Sequence, residues 1–146
     1  MRDLIERLFP RLQESLFEIT SPADPSYNCV AWAAGDVGRW WWPGEAMFTY
    51  WPADVIREQS IASFVMAFEM LGYLPAVSGS HDPQFEKVAI FASVDGTPTH
   101  MARQLADGAW TSKLGSLEDI WHGDVHALSG TDYGEVVVVL ERPRRA

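Results

Sequence analysis

The spacing of apolar residues changes period partway along the chain, and that change bounds what the chain can fold into. Up to Gly72, apart from a low-regularity aromatic segment from Val37 to Pro52, the apolar positions recur every three or four residues. Leu4, Ile5, Leu8, Leu12 and Leu16 are interleaved with Glu6, Arg7, Arg11 and Glu14, and Ile61, Phe64, Val65, Phe68 and Leu71 form a second stripe. These stripes predict amphipathic helices over residues 3–17, bent or restarted at Pro10, and over Ser60 to Leu71, stopped by Gly72. After Gly72 the runs are short. KVAIFAS (87–93), THMARQL (99–105), AWTSKL (109–114) and EVVVVL (135–140) are separated by Asp-Gly or Gly-rich turns, which predicts an antiparallel meander. Between the last two runs, Ser116 followed by Leu117, Glu118 and Asp119 reads as a capped short helix. Helices first and strands afterwards predict one α+β domain over residues 1–146, with N-terminal helices packed on a small antiparallel β-sheet.

Charge and cysteine usage narrow the functional classes. Eleven Lys and Arg against twenty Asp and Glu give a formal net charge of −9. That balance disfavours nucleic acid and anionic membrane surfaces as partners. Cys29 is the single cysteine, so the fold stands without an intrachain disulfide and a reducing compartment is the simpler setting. The N-terminal segment carries charges scattered through its apolar residues, and no run of 18 uncharged apolar positions occurs. Neither a signal peptide nor a membrane span is expected, and a cytoplasmic location follows.

Cys29 is also the first candidate for chemistry. The turn-forming stretch SPADPS at residues 21–26 precedes a helix expected from Tyr27 to Ala34, capped by Asp24 or Ser26 and closed by Gly35, so Cys29 falls in its first turn. A thiol attacks only as thiolate, and a basic imidazole nearby promotes that form. Of the four histidines, His81 sits in a loop before Pro83, His122 and His126 lie on or after the short helix, and only His100 opens a central strand. His100 is therefore the candidate base. A third group commonly fixes the tautomer of such a base. If the turn after His100 is the three-residue loop Ala106-Asp107-Gly108, Leu105 pairs with Ala109 and Ser112 lies opposite Ala102, on the face of His100. A two-residue loop would instead bring Thr111 and Lys113 beside the histidine. The first register is preferred because it puts Ala102, Trp110 and Leu114 on the helix-covered side and turns Arg103 and Lys113 outward.

Other residues are candidates to hold a substrate. Trp40, Trp41, Trp42 and Trp51 belong to a long aromatic loop able to floor a groove, although three consecutive indoles cannot all point one way and core packing competes for them. Trp110 follows the hairpin turn and joins this group. Asn28 and Gln104 are side-chain amides able to donate to an oxyanion, and capping accounts for Asn28 equally well. His122 and His126, spaced i and i+4 near Asp119 and Asp124, lack a third soft ligand, so no metal site is expected. The carboxylates are dispersed, which argues against paired-acid glycoside chemistry.

The order of YNCVAWAA, a strand-opening histidine and the stretch THMARQLADGAWTS resembles the papain-like fold as used by NlpC-type and CHAP-type peptidases and amidases, over roughly residues 24–114. The resemblance implies Cys29 as nucleophile, His100 as base and Ser112 as third residue, with peptide or amide bonds of cell-wall material as the substrate class. Three positions depart from the family pattern. Asn28 stands before the cysteine where NlpC-type enzymes usually carry aspartate, Val30 follows it, and serine replaces the more common histidine, asparagine or acid. The expected activity is that of a thiol-dependent hydrolase or acyl transferase, acting on a peptide or small amide or ester substrate without metal or organic cofactor. The alternatives are a non-catalytic binding module that uses the Trp-rich loop, and a toxin or effector domain.

Overall fold

Strands, more than helices, make the body of the chain. The computed structural model describes residues 2–14 and 16–144. Seven strands form one antiparallel sheet: β1 (Phe17–Ser21), β2 (Leu74–Pro75), β3 (Phe85–Ala92), β4 (Pro98–Gln104), β5 (Trp110–Lys113), β6 (Asp119–His122) and β7 (Glu135–Pro143), in the spatial order β1-β6-β5-β4-β3-β7-β2. The helices α1 (Arg2–Leu8), α2 (Cys29–Ala34) and α3 (Ile61–Glu69) have 7, 6 and 9 residues. The expected arrangement, N-terminal helices on a small sheet, is thus corrected to a sheet-dominated fold with a few short helices.

Two local features account for the difference. Pro10 lacks an amide hydrogen and ends the first helical stripe, so α1 gives way to a 3₁₀ turn over Pro10–Glu14, and the β-prone FEITS that follows becomes β1. The segment expected as a short helix is a hairpin instead. Leu117 N–H donates to the Leu114 carbonyl and Leu114 N–H to the Glu118 carbonyl, closing a turn from which β6 runs back along β5. β1 then pairs with β6 and extends the sheet on that side.

The sheet buries both faces. Val88, Ile90 and Met101 pack in one cluster with α2, α3, Trp41 and Trp51. Ala89, Phe91 and Ala102 alternate with them into a second cluster with Ile5, Phe9 and Leu12 from the N-terminal segment. A strand buried on both sides reads as a continuous apolar run, which explains KVAIFA. The other expected helices are present with shifted ends. Asn28 and not Asp24 or Ser26 caps α2, Gly35 at φ 84° closes it, and Ser60 caps α3.

The β4–β5 turn fixes which residues share a face. Leu105 N–H donates to the Ala109 carbonyl at 2.7 Å, Gly108 takes φ 94°, and Arg103 stands opposite Thr111. This is the three-residue loop, and Ser112 therefore lies on the His100 side. Lys113, expected to face outward, is instead fully buried on the α2 side. Both sides of β5 are covered, so neither is outward.

Candidate functional site

Ser112 sits between two imidazoles. Its Oγ lies 3.0 Å from His100 Nε2 and 2.9 Å from His122 Nε2, while His122 Nδ1 lies 3.0 Å from the Asp124 carbonyl. A carbonyl only accepts, so His122 carries its proton on Nδ1 and presents a bare Nε2. Ser112 must then donate its hydroxyl proton to His122, which leaves its oxygen to accept from His100. His100 accordingly carries its proton on Nε2, and its Nδ1 is a lone pair. That Nδ1 is buried and has no hydrogen-bond partner among the described residues. The chain of donors from His100 to a backbone carbonyl thus prepares one unprotonated ring nitrogen.

The ring itself is held firmly. Tyr133 stacks on it with centroids 4.0 Å apart and planes 6° from parallel, and Phe91 meets it edge-on at 5.1 Å. Tyr133 is placed in turn by the hydrogen bond from Thr99 Oγ1 to its carbonyl. Gly134, at φ 73°, lets the chain pass directly over Ala92, where a Cβ would overlap the Ala92 carbonyl.

Cys29 begins α2 and lines a cavity of about 240 Å³ together with Asn28, Trp40, Trp42, Thr99, Gly115 and Tyr133. Its sulfur is approached by the backbone N–H groups of Met101, Val30 and Cys29 itself. Met101 turns its side chain to the Cys29 cluster, whereas His100, its neighbour in β4, leaves the strand on the other side toward Phe91 and Tyr133. The cavity and the imidazole are linked through Tyr133, which lines the one and stacks on the other, and with Nδ1 unpartnered the thiol and imidazole are not hydrogen-bonded to one another.

Burial sets the resting charge state. It pushes the Cys29 thiol up to about 11, against the opposing pull of the backbone N–H groups and of Lys113. It also holds His100 well below the usual histidine range, helped by His122, and brings His122 down to about 4 despite the Asp124 carbonyl. At neutral pH the site is an uncharged thiol and an uncharged imidazole.

The remaining candidates separate cleanly. Trp41 pairs in an isolated bridge with Tyr50, and the extended backbone there alternates side chains, so Trp40 and Trp42 line the Cys29 cavity while Trp41 is buried in the core with Trp51. Asn28 lines the cavity, but its Oδ1 accepts from Ala31 N–H and Trp41 N–H and its Nδ2 donates to the Trp41 carbonyl. Its amide is a clamp on the aromatic loop. Gln104 donates to the carbonyls of Gly79 and Gly108 and braces the hairpin, and Trp110 packs in the opposite core. Neither lines the cavity. His122 and Tyr133 were not anticipated; the alternation of DIWH was the only signal for the first, and none marked the second. No cluster of three or more His, Cys, Asp or Glu able to hold a metal occurs among the described residues.

A buried histidine relay beside a thiol-lined cavity on an antiparallel sheet defines the kind of domain. Residues 18–141 match the model of a domain of unknown function, DUF7689. The chain belongs to that family, whose match runs from within β1 into β7 and includes Cys29, His100 and Ser112. No curated protein and no solved structure matches it. No helix among the described residues is long and apolar enough to cross a membrane.

Proposed function

We propose that the chain is a thiol-dependent hydrolase or acyl transferase acting on an amide, peptide or ester bond. Cys29 is the nucleophile, His100 the base, and Ser112 the residue that fixes the base in its tautomer. The observation that carries this reading is the bare, unpartnered Nδ1 of His100, set by a relay that ends in the Asp124 carbonyl. A buried lone pair without a donor is costly, and such groups collect where they serve chemistry. The motif resemblance to NlpC-type and CHAP-type peptidases and amidases supports the same assignment.

In the reaction, substrate enters the Cys29 cavity and the thiol and His100 close on one another, as catalytic contacts that are long in free enzymes do. The Sγ proton passes to Nδ1 while sulfur attacks the carbonyl carbon. The leaving amine or alcohol takes that proton as the C–N or C–O bond breaks, and a thioester remains on Cys29. Water, or an acceptor amine, then attacks the thioester carbon and gives a proton to Nδ1, and as the C–S bond breaks that proton returns to the Cys29 sulfur, which frees the acyl product and restores thiol and imidazole. The backbone N–H groups already against the sulfur, those of Met101, Val30 and Cys29, are the donors available to the oxyanion. The single thiol suits a reducing compartment, and we take the cytoplasm as its location.

The uncharged resting state favours one other reading, a binding module whose cavity takes an apolar group between Trp40, Trp42 and Tyr133. Incubation with p-nitrophenyl acetate followed by intact-mass analysis separates the two. The enzyme forms and then loses an acetyl adduct on Cys29, and His100→Ala slows its formation by roughly 10²-fold or more. Equal adduct formation in wild type and His100→Ala leaves only the module.

A further inference from the structure

Lys113 is fully buried, yet it has no carboxylate within ion-pairing distance among the described residues. The contrast is Lys87, also buried, which pairs with Glu141 at 3.4 Å. Lys113 Nζ donates only to the carbonyls of Asp24 and Gly115, each at 2.6 Å, and lies 4.9 Å from the centroid of Tyr27. Its cross-strand partner Asp119 accepts from Tyr27 Oη at 2.8 Å instead and leaves its other oxygen unpartnered. An ammonium held by two neutral carbonyls has given up most of its hydration for little direct return, and a methionine would fill the same volume without that cost.

The charge has a neighbour that explains its retention. Gly115, whose carbonyl the ammonium holds, lines the same cavity as Cys29. Tyr133 lines that cavity as well, and α2, which Cys29 begins, packs on β5, which Lys113 ends. The titratable groups around Lys113 are Asp24 and Tyr27 before α2, Glu118 in the β5–β6 turn, Asp119 at the start of β6, and Cys29 itself. Because strand alternation puts Lys113 on the α2 face and Ser112 on the other, the two sides of β5 address different partners.

We propose that Lys113 is a positioning residue for the thiol: its buried ammonium is the fixed cation that stabilises the Cys29 thiolate, while His100 carries the proton. The inference rests on Cys29 being the reactive group of the cavity, and its test reads the thiol without requiring turnover.

The test is the rate of Cys29 alkylation by iodoacetamide in the folded protein between about pH 7 and 9.5, below the thiol's own titration, where rate follows the thiolate fraction. Lys113→Met is expected to move the profile to higher pH by about one unit or more, a tenfold lower rate at any fixed pH, and Lys113→Arg to recover most of the loss. A Lys113→Met profile superimposed on wild type overturns the proposal, because a merely structural lysine alters stability and not the titration of the remaining native thiol. Should Lys113→Met not fold, Lys113→Gln, which keeps a donor toward the Asp24 and Gly115 carbonyls without the charge, gives the same reading, and an alkylation profile superimposed on wild type overturns the proposal equally. A chain that shows the alkylation shift but never forms an acyl adduct loses the hydrolase reading and keeps the role of Lys113.

Discussion

Replacing Ser112 by alanine removes one hydroxyl and strands two imidazole nitrogens. His100 Nε2–H loses its acceptor at 3.0 Å and His122 Nε2 its donor at 2.9 Å, in a place with no exposure to solvent. A buried polar group deprived of its partner costs about 1–3 kcal/mol, so two cost about 2–6 kcal/mol together. At roughly 2–4 °C per kcal/mol for a domain of this size, the middle of that range lowers the melting temperature by roughly 10 °C. Thermal unfolding followed by circular dichroism at pH 7 measures it directly, and Ser112→Cys, a weaker donor of similar size, falls between alanine and wild type. On the acyl-transfer reading the same variant slows turnover about tenfold, since a neutral serine contributes orientation and little charge stabilisation. A melting temperature within about 2 °C of wild type together with unchanged turnover would falsify the relay.

Stability should also depend on acid in a defined window. His100 and His122 are held neutral by burial, with His122 at about 4 in the folded chain against 6.5 as the reference value. The unfolded chain therefore binds more protons between about pH 4 and 6.5, so stability is complete above that window and falls as pH drops through it, by about 1.4 kcal/mol per unit for each histidine. Urea titrations at pH 7, 6 and 5 read this slope, and equal midpoints at pH 7 and 5 contradict it. Gly134→Ala forces a Cβ into the Ala92 carbonyl at φ 73°, so it should destabilise by about 3 kcal/mol and loosen the Tyr133 stack. A wild-type denaturation curve with unaltered Tyr133 ring contacts to His100 by NMR would show that the loop adapts.

The hairpin that brings Ser112 to His100 was legible because it rests on local chemistry. A glycine available for positive φ, and the need to bury Ala102, Trp110 and Leu114 together, select one register between His100 and Ser112. The same reasoning failed for Lys113, since it assumed that helices cover one face only, whereas α1 and the 3₁₀ turn pack on the side opposite α2 and α3. β1 and β6 were hidden for a different reason. Their pairing joins Phe17 to His122 across most of the chain, and that partnership leaves no mark on either segment alone. Leu16 prolonged the helical stripe over the first, and Ser116 ahead of Leu117, Glu118 and Asp119 imitated a helix cap over the second. Once DIWH is a strand, His122 turns to Ser112 and the relay is complete. Trp40 and Trp42 were separable from Trp41 only in principle, through the alternation of an extended chain, because nothing in WWWP announces the bridge to Tyr50.

The central claim is that His100 waits with its proton on Nε2 and a bare, unpartnered Nδ1. Long-range ¹H–¹⁵N correlation of the imidazole rings in wild-type protein at pH 7 resolves the two tautomers by their nitrogen shifts. The account predicts the Nε2–H form for His100 and the Nδ1–H form for His122, with the His100 signal reverting to a mixture in Ser112→Ala. A protonated Nδ1 on His100 in the wild-type chain would leave the thiol without a base and contradict the account.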